Sequence, residues 1–190
     1  MNPMKLWTMT DVGLVRKDNQ DTFATRQLED GCTVCVVCDG MGGAAELEKV
    51  LKPEMTPEQL REASSYAVAL ANRAVREAAS TNPECRNMGT TLVSAVSYEG
   101  GTVISNVGDS RAYHITEGGI VRVTKDHSLV ESMVDRGDIT AEEARRHPNR
   151  NLITRALGAE PVLLADCFDQ NVAPGDYLLL CSDGLSNVVT

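Results

Sequence analysis

The sequence predicts an α+β domain in which antiparallel sheets are layered against helices, and three observations carry that prediction. Strand patterns and helix patterns are segregated along the chain and do not alternate as βαβ units. The strand patterns between residues 90 and 124 are separated only by Gly100-Gly101, Gly108-Asp109 and Gly118-Gly119, a spacing that permits hairpins and leaves no room for crossover helices. One long stretch carries the three-to-four-residue apolar period of a helix with a single buried face. At 190 residues and 42% hydrophobic, the chain has enough apolar material for the core of one domain.

In chain order, short strands are expected at residues 6–10 and 33–38. Cys32, just before the second, and Cys35 and Cys38 within it stand at C-x-x-C spacing, which resembles half of a zinc or iron–sulfur site. Side chains alternate along a strand, so Cys35 points away from the other two and buried core cysteine is the better reading. A long helix opens at "TPEQ", where Thr56 can cap, Pro57 fits the first turn and Gln59 completes a capping box. Leu60, Ala63, Ala67, Leu70, Ala71, Ala74, Val75 and Ala78 form its apolar stripe, and Asn82-Pro83 ends it. Strands follow at "TTLVSAVSY", "TVISNVG", "RAYHI" and "IVRVT". A polar, partly helical excursion then runs from Asp126 to about Arg155, with a second capping box at Thr140 and Glu143. The last strands are expected at "VLLADCF" and "YLLLC".

The formal net charge of -9 offers no basic field for nucleic acid or an anionic membrane surface. The N-terminal residues carry no signal-peptide core and no run reaches the length of a membrane span, which places the chain in the cytoplasm with its six cysteines as reduced thiols. No Cys is followed by Arg six positions later, so the cysteine-dependent phosphate cradle is excluded, and the usual serine-hydrolase, zincin, P-loop and dinucleotide motifs are absent.

What remains is a set of acids at strand ends and turns. "TVCVVCDGMGG" ends an apolar run on Asp39 and Gly40, and "YLLLCSDGLS" repeats the design with Asp183 and Gly184. One Asp-Gly is a turn signal; two at the ends of buried strands suggest a shared carboxylate site. Asp21, Asp109 and Asp126 complete the set. Carboxylates brought together need positive charge, and an oxygen-rich pocket with few histidines calls for a hard cation, Mg²⁺ or Mn²⁺. Gly40 would let the backbone carbonyl approach the same ion.

The pieces "GLVRKDNQD", "VCDGMGG", "GTTLV", "NVGDSRAY", "TKDHS", "HPNRNLITRALG" and "LLLCSDGLSNVV" resemble, in order, the motifs of the metal-dependent Ser/Thr protein phosphatases of the PPM, or type 2C, family in its compact bacterial form. The resemblance implies a four-layer α-β-β-α sandwich of antiparallel sheets flanked by helices, with a flap at about residues 129–155. It implies hydrolysis of phosphoserine and phosphothreonine by a water bridging two Mn²⁺ or Mg²⁺ ions, without a covalent intermediate. Asp39 would bridge the core pair, the Gly40 carbonyl would complete one ion, and Asp183 would hold the other. Asp109 with Asp183 would form a more weakly held third site. Asp21 would orient metal-bound water, and Arg16 would clamp the substrate phosphate with its planar fork.

Partners would be phosphorylated proteins, among them Ser/Thr kinases and their substrates, met by a monomer when complete. His127 is read as a structural hydrogen-bonding group, while His114 and His147 have no partner at ligand spacing. Gln20 and Met41 stand where another branch of the family has Glu and His. The first core helix after "DGMGG" is expected to be shortened or missing. The sequence stops before the family's Gly-Arg-Asp-Asn motif, whose Asp is a core ligand, so residues 1–190 are expected to form a single phosphatase domain lacking its C-terminal segment. Two alternatives stay open: a non-catalytic binding protein on a phosphatase scaffold, and a regulatory phosphatase of an anti-sigma-antagonist system.

Overall fold

The computed structural model describes residues 4–14, 18–28, 31–40, 55–85, 88–99 and 101–189. Its strands are β1 (Asp21–Gln27), β2 (Thr33–Asp39), β3 (Leu92–Tyr98), β4 (Gly101–Val107), β5 (Arg111–Thr116), β6 (Gly119–Arg122), β7 (Asp166–Gln170) and β8 (Tyr177–Cys181). They form a five-stranded sheet in the order β1-β2-β3-β4-β7 and a three-stranded sheet in the order β6-β5-β8. Every pairing is antiparallel, as the glycine-turn spacing requires.

The long helix α1 (Pro57–Thr81) begins where the sequence places it, with Thr56 as N-cap and a reciprocal capping box to Gln59. Its buried face is the double row Leu60, Ser64, Val68, Asn72 and Ala63, Ala67, Ala71, Val75. That face differs from the expected stripe: Ala74 is exposed and Leu70 and Ala78 only half-buried, while Ser64 and Asn72 enter the core. Asn72 can do so because its amide is satisfied: Oδ1 accepts from Gly158 N at 2.8 Å and Nδ2 donates to Glu160 O at 2.9 Å.

Strand alternation divides the apolar side chains between two cores. Val34, Val36 and Cys38 of β2, with Leu92, Val96, Val103 and Val107, pack against α1. Val93, Ala95, Ile104 and Ala112 form the second core, flanked by Val37, Phe168, Leu178 and Leu180, between the two sheets. Cys32 and Cys38 are buried together while Cys35 leaves on the opposite face, and all six cysteines are free thiols.

Three expectations need correction. Residues 6–10 form no strand; Trp7 and Met9 are exposed, and the segment's tie to β1 is a side-chain bond from Gln27 Nε2 to Met4 O, so its backbone has no ladder to join. The polar stretch Asp21–Gln27, unread as a strand, is one: it is an edge strand bonded only to β2, which frees its sequence from an apolar pattern. The strand expected at residues 162–168 is β7, shifted to Asp166–Gln170. Its partner β4 ends at Val107, just past the Asn106–Asp166 pair, so Val162 and Leu164 extend beyond any ladder. The polar excursion carries α2 (Leu129–Asp135) and α3 (Ala141–Arg146), the latter with the predicted Thr140–Glu143 box. Arg16, Met41 and the shortened helix at residues 41–54 lie outside the described residues.

Candidate metal centre

The parity of β2 decides where Asp39 points. Val34, Val36 and Cys38 face α1, so Cys35, Val37 and Asp39 face the second sheet. Asp21, the first residue of β1, stands directly opposite Asp39 in the ladder and therefore on the same face. From the other sheet, β8 ends at Cys181 and passes through Ser182 into the short helix α4 (Asp183–Ser186), bringing Asp183 to the same place. Asp109 comes from the turn between β4 and β5. Strand ends from both sheets thus deliver four acids to one end of the sandwich.

Their electrostatics show the cost of that gathering. Like charges directly opposite one another in a sheet repel. The Asp39 carboxyl is pushed up to about 7 from the ordinary 3.8, first by burial, then by Asp183 within hydrogen-bonding reach and by the charges of Asp21 and Asp183. Asp109 is pushed up to about 6, again first by burial and then by Asp183 and Asp126. Asp126 belongs to a different structure: Arg111 grips it through Nε to Oδ1 at 3.0 Å and Nη2 to Oδ2 at 2.6 Å, and Arg122 lies 3.7 Å away. Its charge is met within the protein by these two guanidinium groups.

This donor set fits hard divalent ions. Among the described residues no group of three or more His, Cys, Asp or Glu side chains is placed to hold a metal ion by itself. The acids instead meet in pairs, Asp39 with Asp21 and with Asp183, and Asp109 with Asp183, an open arrangement suited to ions that keep several waters. Gly40 is required as glycine here: its φ is +126°, its N–H donates to Gln20 O at 3.0 Å, and a Cβ would lie 2.6 Å from Gly89 O. Asp21 is fixed by Ser182 Oγ, which donates to its Oδ2 at 2.6 Å and makes no capping bond to α4.

Of the residues singled out from sequence, Asp21, Asp39, Gly40, Asp109 and Asp183 come together, and Arg16 lies outside the described residues. His127 is structural: its buried ring accepts from Gly108 N–H at Nδ1, 3.1 Å, and turns Nε2 to Asp166 Oδ2 at 3.1 Å. His114 pairs with Asp176 at 2.9 Å, and His147 Nδ1 accepts from Asn149 N–H. Sequence reasoning missed Ser182, Thr91 and Ser110, hydroxyls that lie beside the acids; their adjacency to Asp183, to Asp109 and to the "GTTLV" strand start was the available signal.

Comparison with known proteins agrees with this geometry. The family described as Protein phosphatase 2C matches residues 15–190. The serine/threonine phosphatase stp of Listeria monocytogenes is 34% identical over 194 residues, covering 95% of this chain and 77% of that protein. The crystal structure of serine/threonine phosphatase Stp1 from Staphylococcus aureus has a TM-score of 0.87 at 35% identity, covering 98% of this chain and 81% of that one. The catalytic domain of the serine/threonine protein phosphatase PstP, solved in complex with two manganese ions, has a TM-score of 0.77 at 31% identity and covers 94% of this chain and 76% of that one.

Proposed function

The chain belongs to the protein phosphatase 2C family, and from that membership we propose which of its residues carry the metal-dependent hydrolysis of phosphoserine and phosphothreonine in proteins. The observation that carries the assignment is the meeting of Asp21, Asp39 and Asp183 from two sheets, with the Asp39 carboxyl held at about 7. Asp39, with a carboxylate on either side, would hold both core ions, one of them together with the Gly40 carbonyl and the other together with Asp183. Asp109 with Asp183 holds the weaker third ion.

Two Mn²⁺ or Mg²⁺ ions, when bound, supply an activated water and offset phosphoryl charge. The chain's own groups do the rest. Ser182 holds Asp21 by its Oδ2 and so fixes the carboxylate that would orient an attacking water. Arg16, which lies outside the described residues, would clamp the phosphate through its planar guanidinium. No side-chain nucleophile is needed, and the three thiols on β2 and β8 are poor ones: burial pushes that of Cys38 up to about 12 and those of Cys35 and Cys181 to about 11.

The substrates are phosphorylated proteins, with Ser/Thr kinases and their targets as the finer reading. Among the described residues no helix is long and apolar enough to cross a membrane, and the six free thiols fit a cytoplasmic setting. Relatives named as phosphatases favour turnover over a phosphopeptide-binding scaffold. Phosphate release from a phosphothreonine peptide tests the reading: it should require Mn²⁺ and stop with chelator, and release unchanged by chelator would contradict it.

A further inference from the structure

Two of the acids are tied to each other through buried hydroxyls. The register Val37–Val93 of β2 and β3, extended by two residues, sets Asp39 opposite Thr91, and the register Leu92–Val107 of β3 and β4, extended by one, sets Thr91 opposite Gly108. One cross-strand row therefore reads Asp21, Asp39, Thr91, Gly108. Thr91 holds Asp39 at both backbone groups: Asp39 N–H donates to Thr91 Oγ1 at 3.0 Å, and Thr91 N–H donates to Asp39 O at 3.2 Å. The same Oγ1 meets Ser110 Oγ at 2.6 Å, and Ser110 directly follows Asp109. The Thr91 methyl fills the space above Gly108, where a Cβ would lie 2.6 Å from Cγ2. Thr91 is 3% exposed and Ser110 fully buried, so neither hydroxyl can exchange its partner for solvent.

We propose that the Thr91–Ser110 hydroxyl pair is a clamp that sets the spacing between Asp39 and Asp109, so that Thr91 and Ser110 are positioning residues for the ions these two acids hold. The inference rests on the ligand assignment above. Asp39 and Asp109 each lean on Asp183 and repel it, and carboxylates under such repulsion need a rigid mount to stay apart by a fixed distance. A chain of two short hydrogen bonds in a dry environment supplies one, and its two ends can be cut separately. Ser110→Ala releases the Asp109 side and leaves Thr91 on Asp39. Thr91→Val, which keeps the shape and the Thr91 N–H bond to Asp39 O, removes the hydroxyl bonds on both sides. Thr91→Ser keeps the hydroxyl and loses only the methyl.

Calorimetric titration with Mn²⁺ alone, on the full chain and these three variants, with thermal denaturation alongside, decides the matter. Ser110→Ala should weaken the looser binding phase about tenfold and leave the tighter one intact, Thr91→Val should weaken both, and Thr91→Ser should bind as the parent does. Should Thr91→Val fail to fold, Ser110→Ala and Thr91→Ser decide alone. Parent-like binding by Ser110→Ala, equal weakening of both phases in Ser110→Ala, or a Thr91→Ser that behaves like Thr91→Val would each overturn the clamp while leaving the ligand assignment standing. Absence of Mn²⁺ binding by the parent would overturn the ligand assignment and the clamp together.

Discussion

Asp39 and Asp21 face each other across a ladder position where most sheets set an apolar or oppositely charged pair, and the consequence is a pH dependence of known sign. Asp39 at about 7 and Asp109 at about 6 both lie above the unfolded value of 3.8. Between pH 4 and 7 the metal-free folded protein therefore binds more protons than the unfolded chain, and its stability falls as pH rises through that window. Asp166 and Asp176, held below 3.8 by their His and Arg partners and by backbone, act in the opposite direction but only below that window. Thermal denaturation with chelator should show the decline, Asp39→Asn should reduce it, and Mn²⁺ should raise Tm far more at pH 7.5 than at pH 5. An equal Mn²⁺ effect at both pH values would contradict the assignment. Arg16→Ala should raise KM and leave Mn²⁺ affinity unchanged, costing about 1.5 to 3 kcal/mol of phosphate binding; an unaltered KM and kcat would remove Arg16 from the site. Asp39 and Asp183 were legible in the sequence because an apolar strand ending in Asp-Gly is a local pattern. Asp126 looked like their equal because its neutralising partner, Arg111, reaches it across a hairpin that only the register of β5 reveals. Thr91 and Ser110, each one residue before a strand, were missed for the same reason, since adjacency to Asp109 or to a strand start does not separate a solvent-facing hydroxyl from a buried tie.

At the scale of elements, the helix and hairpins were readable from short-range rules, and the misplacements came from long-range ones. Thr56, Pro57 and Gln59 start α1 by chemistry within four residues, and so does the Thr140 box of α3. What α1 buries, by contrast, depends on what it meets. Asn72 lies in the core because the backbone at Gly158 and Glu160 needs its amide, and those residues lie beside Leu157, which exchanges backbone hydrogen bonds with Thr90 at 3.1 and 2.9 Å. Asn72→Ala should remove both part-buried hydrogen bonds and cost about 1 to 3 kcal/mol in all, read as a lowered denaturation midpoint. A midpoint matching the parent's would show that this connection carries no stability. Strand limits were misread where the partner sets them: β7 starts where β4 can pair with it, and β1 is a strand by virtue of lying on the edge of β2.

For the molecule as a whole, the fold class followed from hairpin spacing and the segregation of helix from strand, but the site depends on two sheets meeting, which no local pattern encodes. The inner core of Val93, Ala95, Ile104 and Ala112 holds the sheets face to face, and that stacking carries the end of β8 to the ends of β1 and β2. Ser182 Oγ on Asp21 is the visible seam between them. The central claim is that the acids at this seam hold the divalent ions on which hydrolysis depends, with Asp39 as their hub. The measurement that tests it most directly is Mn²⁺ titration and phosphopeptide hydrolysis on the parent and Asp39→Asn side by side, with the fold checked by circular dichroism. The account predicts Mn²⁺ binding by the parent, and an Asp39→Asn variant that keeps the fold but loses the tight binding phase together with any Mn²⁺-dependent turnover the parent shows. A variant that binds Mn²⁺ and releases phosphate as the parent does would contradict it.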